Sequence, residues 1–319
     1  MKTALIIALV LLFIGVIIVG VGWMLLQKFP VEKNTLKDAT YPYEMDELPQ
    51  QIKITTLDSR VQILPIEGDE WRVECKETEN NPHTVELIDG VLTVKQEGNV
   101  RKWYENIGIF NAFQSPSVTV YLPVQVYELL EIHSTSGSIK VEGEYTFSNA
   151  TLNNVSGSIF CASNVAGAME VANTSGSITL SGSVSGNLTV KNISGSIAVL
   201  GGVNGELEVK SGSGSIDVKN ARPVSASIKN ISGSIDLYNV VCKETCKVEN
   251  VSGSIELDRC DAASFDLETT SGGIRGSILS AKVFDCHSTS GGVHVPANGE
   301  GGTFKAQSTS GGIKITIAE

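Results

Sequence analysis

The sequence predicts an all-β fold: a parallel β-solenoid of about ten 19–20-residue coils, with an N-terminal β cap and one N-terminal transmembrane helix. Three observations carry this expectation. First, a Ser-Gly-Ser/Gly-Ile/Val corner recurs at Ser136, Ser156, Ser175, Ser194, Ser213, Ser232, Ser252, Ser271, Ser290 and Ser310, always 19 or 20 residues apart. Second, counting from each serine, 39 of the 40 residues at positions −6, −4, +3 and +5 are apolar, Gly276 being the exception, in a chain that is 41% hydrophobic. Third, at the interleaved positions −5, −3 and +4 only Ala172, Phe160 and Ala198 are apolar, three of 30. Alternation with period two is the mark of a half-buried strand, so each unit supplies strands at about −6 to −2 and +2 to +6. Glycine at the corner permits backbone angles that a Cβ would forbid. A unit this short cannot bury its own inward face, but stacked units align matching positions at about 4.8 Å and close a continuous core.

The elements before the repeats read in order. Ala4 to Leu26 is uncharged for 23 residues, which as a helix reaches about 35 Å and spans a hydrocarbon core of about 30 Å. The run ends without a small-residue cleavage site, and Trp23 suits the headgroup boundary, so residues 1–27 are expected to be an uncleaved anchor in the cytoplasmic membrane. The short tail before a large body predicts an extracytoplasmic body. Residues 28–50, with Pro30 and Pro42, read as a stalk. Residues 51–132 alternate as strands without the corner motif and are expected to cap the first coil of the repeats at 133–319, a separate domain being the alternative. The chain ends within a strand at Ile313 to Ile317, which predicts an open edge there and self-association through it.

Chemistry is sparser. Lys plus Arg number 24 against 35 Asp plus Glu, a net charge of −11, which opposes binding to nucleic acid. Position −2 reads Ser134, Asn154, Asn173, Asn192, Ser211, Asn230, Asn250, Thr269, Ser288 and Ser308. This polar column predicts a ladder of amides and hydroxyls bonding to the coils above and below. It also accounts for five apparent glycosylation sequons, whose Asn is wanted for structure.

The Ser-Gly-Ser/Gly-Ile corners, the upstream Asn and the Val120 to Pro123 strand resemble the bacterial putative-adhesin domain family, β-solenoid domains of unknown function. The resemblance covers about residues 50–319. With its single N-terminal helix the layout is also similar to Lia-type membrane-anchored proteins of Gram-positive cell-envelope stress operons. The resemblance implies adhesion and supplies no ligand and no catalytic residue.

Candidate sites stand beside plainer readings. Asp217, Asp236 and Glu256 occupy +4 in three successive coils, where a divalent cation such as Ca²⁺ would relieve their repulsion; a solvated strand face is the alternative. His287 and His294 flank the Ser290 corner beside Cys286 without matching a zinc spacing. Cys75, Cys161, Cys246 and Cys286 fall on inward positions as small hydrophobes. Cys260 aligns under Val241, one residue from Cys242, making Cys242–Cys260 a candidate disulfide. Trp103, Tyr104, Phe110 and Phe113 crowd the loop from Asn99 to Pro116, which reads as a lid over the first coil or as a contact for a membrane or partner. No nucleophile–base–acid arrangement stands out and no cofactor is expected. The reading is a membrane-anchored, non-enzymatic, extracytoplasmic adhesin or envelope scaffold, linked to stress and contacting an envelope protein or glycan. The alternative is a carbohydrate-active β-helix enzyme acting on cell-wall or matrix glycans.

Overall fold

The computed structural model describes residues 37–41, 48–78, 81–98 and 115–318. The expected transmembrane segment and the aromatic residues Trp103, Tyr104, Phe110 and Phe113 lie outside them. Among the described residues no helix is long and apolar enough to cross a membrane.

Two 14-stranded sheets meet at the Ser-Gly corners. In the coil of Ser194, for instance, Leu188–Ser194 belongs to one sheet and Ile197–Val199 to the other. Neighbouring coils pair in parallel with matching positions opposite each other, as Leu188↔Leu207 and Val190↔Val209 illustrate. Nine such steps join the ten corner serines into one row. A third, irregular side carries single bridges such as Val165↔Val184 and Val184↔Val203. Of the 39 apolar residues assigned inward from the sequence, 35 are buried. The four that are not, Phe284, Cys286, Val293 and Val295, all belong to the coil of Ser290.

The order of stacking explains that exception and corrects an expectation. Among the described residues Val283–Ser290 pairs only with Thr303–Ser310, which in turn pairs with Ser264–Ser271. The last coil in sequence is therefore inserted beneath the ninth, and the ninth ends the rod. Rings stack in the same order: Phe304 lies 5.0 Å from Phe265 and 5.4 Å from Phe284 between centroids. The final strand Ile313–Ile317 is flanked by Ile274–Ile278 on one side and by Val293–His294 over its first two residues on the other. The outermost strands at this end are Val283–Ser290 in one sheet and the two-residue Val293–His294 in the other, so the C-terminal strand keeps the expected open edge only over Ile315–Ile317. The N-terminal end repeats the device. Gln51–Thr56 lies between Val91–Gln96 and Val126–Ser136, and Arg60–Ile66 lies between Ser117–Pro123 and Ile139–Val141. At both ends the extreme rung in sequence gains a neighbour on each face, which protects it from fraying.

The segment 51–132 thus contributes parallel rungs continuous with the rod, finished by antiparallel strands. Arg72–Glu77 covers Ser117–Pro123, and His83–Ile88 covers Val91–Gln96. Lys37–Tyr41, within the stretch expected as stalk, pairs antiparallel with Arg72–Glu77. Tyr127, Tyr145 and Phe147 fill the first coils, with ring centroids 5.7–6.0 Å apart.

The corner sets the local chemistry. Corner glycines such as Gly195 hold φ near +120°, and a Cβ on Gly195 would sit 2.4 Å from the Gly176 carbonyl oxygen of the preceding coil. At position −2 the Asn amide donates to these carbonyls: Asn192 Nδ2 reaches Gly176 O and Gly195 O, both at 2.9 Å. Asn173 and Asn230 bond their corners in the same paired way. The polar column thus bonds to the neighbouring coil as expected, its acceptors being main-chain carbonyls of the corners. The Oδ1 atoms of Asn154, Asn173, Asn192, Asn230 and Asn250 are buried without a hydrogen-bond partner among the described residues, so the position requires a donor, not an acceptor. Thr269 and Ser308 meet that need with one hydroxyl each, at 3.1 and 3.0 Å from Gly253 O and Gly272 O. The single inward glycine, Gly276, has its own cause: the register shifts between Leu257 and Cys260 on the neighbouring strand, and a Cβ at 276 would overlap the Leu257 carbonyl.

Two substitutions separate these effects. Asn192→Ala is expected to cost about 1–3 kcal/mol, because corner carbonyls lose their donor. Gly195→Ala is expected to cost more than Gly68→Ala, since Gly68 shares a positive φ but has only open space within 4 Å of the point a Cβ would occupy, leaving about 1–3 kcal/mol of backbone strain alone. Urea midpoints of the three variants check both statements.

Candidate functional site

Along the first sheet, positions −3 and −1 face outward on either side of the buried −2 column. Between them runs a groove of about 860 Å³ from Thr55 to Ile231, crossing seven successive rungs, or about 29 Å at about 4.8 Å per step. One wall is an apolar ridge in which Val155, Ile193 and Ile231 are 50–64% exposed, and Val251 continues it beyond the groove. The other wall carries His133, Asn153, Lys191 and Lys210. Lys191, Lys210 and Lys229 stack in register. Lys210 pairs with Glu208 in its own strand, and Lys229 with Glu249 of the next coil at 2.7 Å. The partly buried Glu208 and Glu249 carboxyls are held below their ordinary range first by hydrogen bonds from these lysines. The arrangement can grip an extended chain by apolar contact and by cationic and amide groups spaced one coil apart.

The sequence singled out the other sheet. Asp217, Asp236 and Glu256 do stack in successive coils, but as a column of neighbours rather than around one point. The Arg275 guanidinium pairs with Glu256, and Asp236 accepts a hydrogen bond from Ser234 Oγ at 2.9 Å. Desolvation, then the charge of Asp236, raises the Asp217 carboxyl above its ordinary pKa. Among the described residues no group of three or more His, Cys, Asp or Glu is placed to hold a metal ion. His287 and His294 are exposed on the terminal coil. All six cysteines are free thiols. The candidate pair Cys242–Cys260 is not bridged: the Cys260 thiol points to Leu237 O at 3.3 Å, whereas the buried Cys246 thiol is raised by its hydrogen bond with Cys242 and by burial. Adding the four-residue step from 242 to 246 to the coil alignment would have found the nearer partner.

A family model, Toastrack DUF4097, matches residues 49–238 and 204–319. The chain belongs to the Toastrack DUF4097 family. No curated protein matches it. Among solved structures it is similar to a "putative adhesin" from Bacteroides fragilis, at 14% identity over 88% of this chain and 97% of that one, TM-score 0.34. It is also similar to a "putative lipid binding protein" from Parabacteroides distasonis, at 12% identity over 89% and 98%, TM-score 0.44. A "putative adhesin" from Parabacteroides merdae matches at 14% identity over 89% and 97%, TM-score 0.31.

One constellation of this Toastrack chain escaped the sequence reading. Ser59 Oγ lies 2.9 Å from His83 Nε2, and His83 Nδ1 lies 3.2 Å from Glu77 Oε2. The spacing is that of a nucleophile–base–acid relay, yet Ser59 is 0% and His83 3% exposed, so no substrate reaches the hydroxyl. The group joins the cap to the rod: Ser59 turns the first corner, and His83 begins the covering strand. Next to it Gln96 accepts from the Leu57 and Asp58 amides at 2.8 and 3.1 Å and donates to Asp58 Oδ1 at 2.7 Å. The signal available in the sequence was His83 on the same inward phase as Val85.

Burial lowers the His83 pKa below its ordinary value despite the opposing pull of Glu77. The folded state therefore binds this proton less readily than the unfolded chain, and the stability involved is present above about pH 6.5 and lost as pH falls. The urea midpoint is expected to drop between pH 7 and pH 5, and His83→Gln to remove part of that drop; midpoints measured at both pH values check it.

Proposed function

We propose that this chain is a non-enzymatic, adhesin-like protein of the cell envelope, tethered by its apolar N-terminal segment with the rod outside the cytoplasmic membrane. The tether rests on the 23 uncharged residues from Ala4 to Leu26. The role rests on one observation above all, the continuous groove along seven rungs, with its exposed Ile193 and Ile231 and its lysine row. Isolated surface Ile residues need no explanation, but a ridge of them beside a long groove marks a place where something docks. The groove is lined by amides, hydroxyls, lysines and aliphatic groups, chemistry suited to holding an extended envelope polymer. The carboxylates that a glycan-cleaving reading would recruit lie on the other sheet, where Arg275 already neutralises Glu256.

Cells displaying the full chain are expected to bind isolated envelope protein or glycan saturably, and Ile193→Asp with Ile231→Asp to weaken binding at least tenfold without changing the melting temperature. Binding indifferent to both changes overturns the groove as the site. Shortening of envelope glycans by the purified chain overturns the non-enzymatic role.

A further inference from the structure

The two ends of the rod are built differently. At the N-terminal end, antiparallel strands cover the last parallel rung. At the other end, Val283–Ser290 pairs on one side only, and no described strand covers it. The Val283 amide donates back into the rod, to Gly302 O at 2.9 Å. Alternate residues of a strand point their N–H and C=O to opposite edges, so those of Phe284, Cys286 and Ser288 point off the end. Asn298 Oδ1 takes the Phe284 N–H at 2.8 Å, leaving Cys286 and Ser288 as open donors among the described residues. Apolar surface accompanies the open backbone: Val283 and Val293 are 43% and 39% exposed, and Phe284, Cys286 and Val295 are only partly covered.

We propose that this edge pairs with the same edge of a second copy, antiparallel, about a two-fold axis through Cys286. A strand can pair with itself about a two-fold axis only antiparallel, and a hydrogen-bonded pair on the axis needs a residue whose N–H and C=O both face out. Cys286 and Ser288 meet that condition outright, and Phe284, set opposite Ser288 when the axis passes through Cys286, meets it by exchanging Asn298 Oδ1 for the partner strand. Centring on Cys286 sets Asp285 opposite the partner's His287, twice, in the closer non-hydrogen-bonded positions; centring on Phe284 or Ser288 sets Asp285 opposite Val283 or Gly291.

Charge along the rod selects the same register. In stacking order the outward −5 column ends Lys247, Asp266, Lys305, Asp285. Lys247 and Lys305 each lie 3.8 Å from Asp266. The signs alternate only because the last coil is inserted beneath the ninth, and the partner's His287 sets an imidazole N–H against the Asp285 carboxylate. Edge strands that avoid pairing carry bulges, proline or unmatched charge; this one sets a carboxylate against an imidazole donor of the second copy and has neither proline nor bulge. The axis places the two N-terminal ends at opposite extremes of the joined rods. With the tether of the proposed function, which this last step alone requires, the pair would join two surfaces.

The full chain in detergent micelles is expected to contain two copies by analytical ultracentrifugation. A short bis-maleimide should link the two Cys286 thiols, the other five cysteines being buried. Cys286→Ser should abolish the link and leave the dimer. His287→Asp, on the exposed face, should weaken the dimer at least tenfold without altering the melting temperature, and the exchange Asp285→His with His287→Asp should restore it. A monomer at all concentrations, assemblies that grow beyond two, or an unsubstituted dimer that the bis-maleimide fails to link through Cys286 overturns the proposal. None of these outcomes depends on what the groove binds.

Discussion

Nine of the ten Ser-Gly corners turn on a glycine at positive φ, Gly291 of the terminal coil being the exception, and the missing Cβ lets the next coil approach within contact distance. The geometry that permits close stacking thus creates an acceptor that must be satisfied in a buried place. Asn173, Asn192 and Asn230 answer with two hydrogens directed at successive corner carbonyls; Asn154, Asn250, Thr269 and Ser308 answer with one. At the asparagine, Thr269 and Ser308 positions the donor links a coil to the one stacked before it. The requirement repeats from coil to coil, and the corners recur every 19 or 20 residues.

That requirement is why so much of the fold could be read in advance. A constraint repeated ten times leaves a periodic trace, and the inward columns, the corner and the parallel register are all periodic. What was not legible is what happens once. The inversion of stacking order at each end leaves no mark on the interval between corners, because the inserted coil has the same pattern as its neighbours. Ser59, His83 and Glu77 lie on three different segments of the cap, brought together only by strand order. Cys242 meets Cys246 through a turn on the irregular third side, where alternation gives no guidance. Arg275 stands at the same position of the coil after Glu256, where the spacing puts it, and pairs with Glu256.

Because the inward positions and the corner are fixed by stacking, the outward positions are left to vary, and function is confined to them. On the first sheet they combine an aliphatic ridge with a lysine row; on the second they run from Lys140 and Phe160 through carboxylates to Arg275 and Lys314. In a globular enzyme, loops gather reactive groups into a cleft. A solenoid instead spreads its groups at a spacing of about 4.8 Å, each one coil from the next. Such a surface matches a partner that is itself extended.

The ends obey different physics from the middle. A parallel stack exposes its interior and its unpaired main chain wherever it stops, and both must be covered, paired or tolerated. The N-terminal end is covered, first by turning strands antiparallel and then by tying the corner at Ser59 to His83. The other end inserts its last coil one place inward, which secures the C-terminal strand but hands the exposed edge to a coil whose inward residues are only half buried. Tucking in the last coil thus preserves one open edge, and it does so at the place where Asp266, Lys305 and Asp285 come to alternate in sign. Had the coils stacked in chain order, Asp266 and Asp285 would be adjacent and Lys305 outermost, and the exposed strand would carry Lys305 beside Gln307, with no carboxylate to complement the lysine of a second copy. The inversion that protects the chain terminus is also what makes the terminal edge complementary to itself.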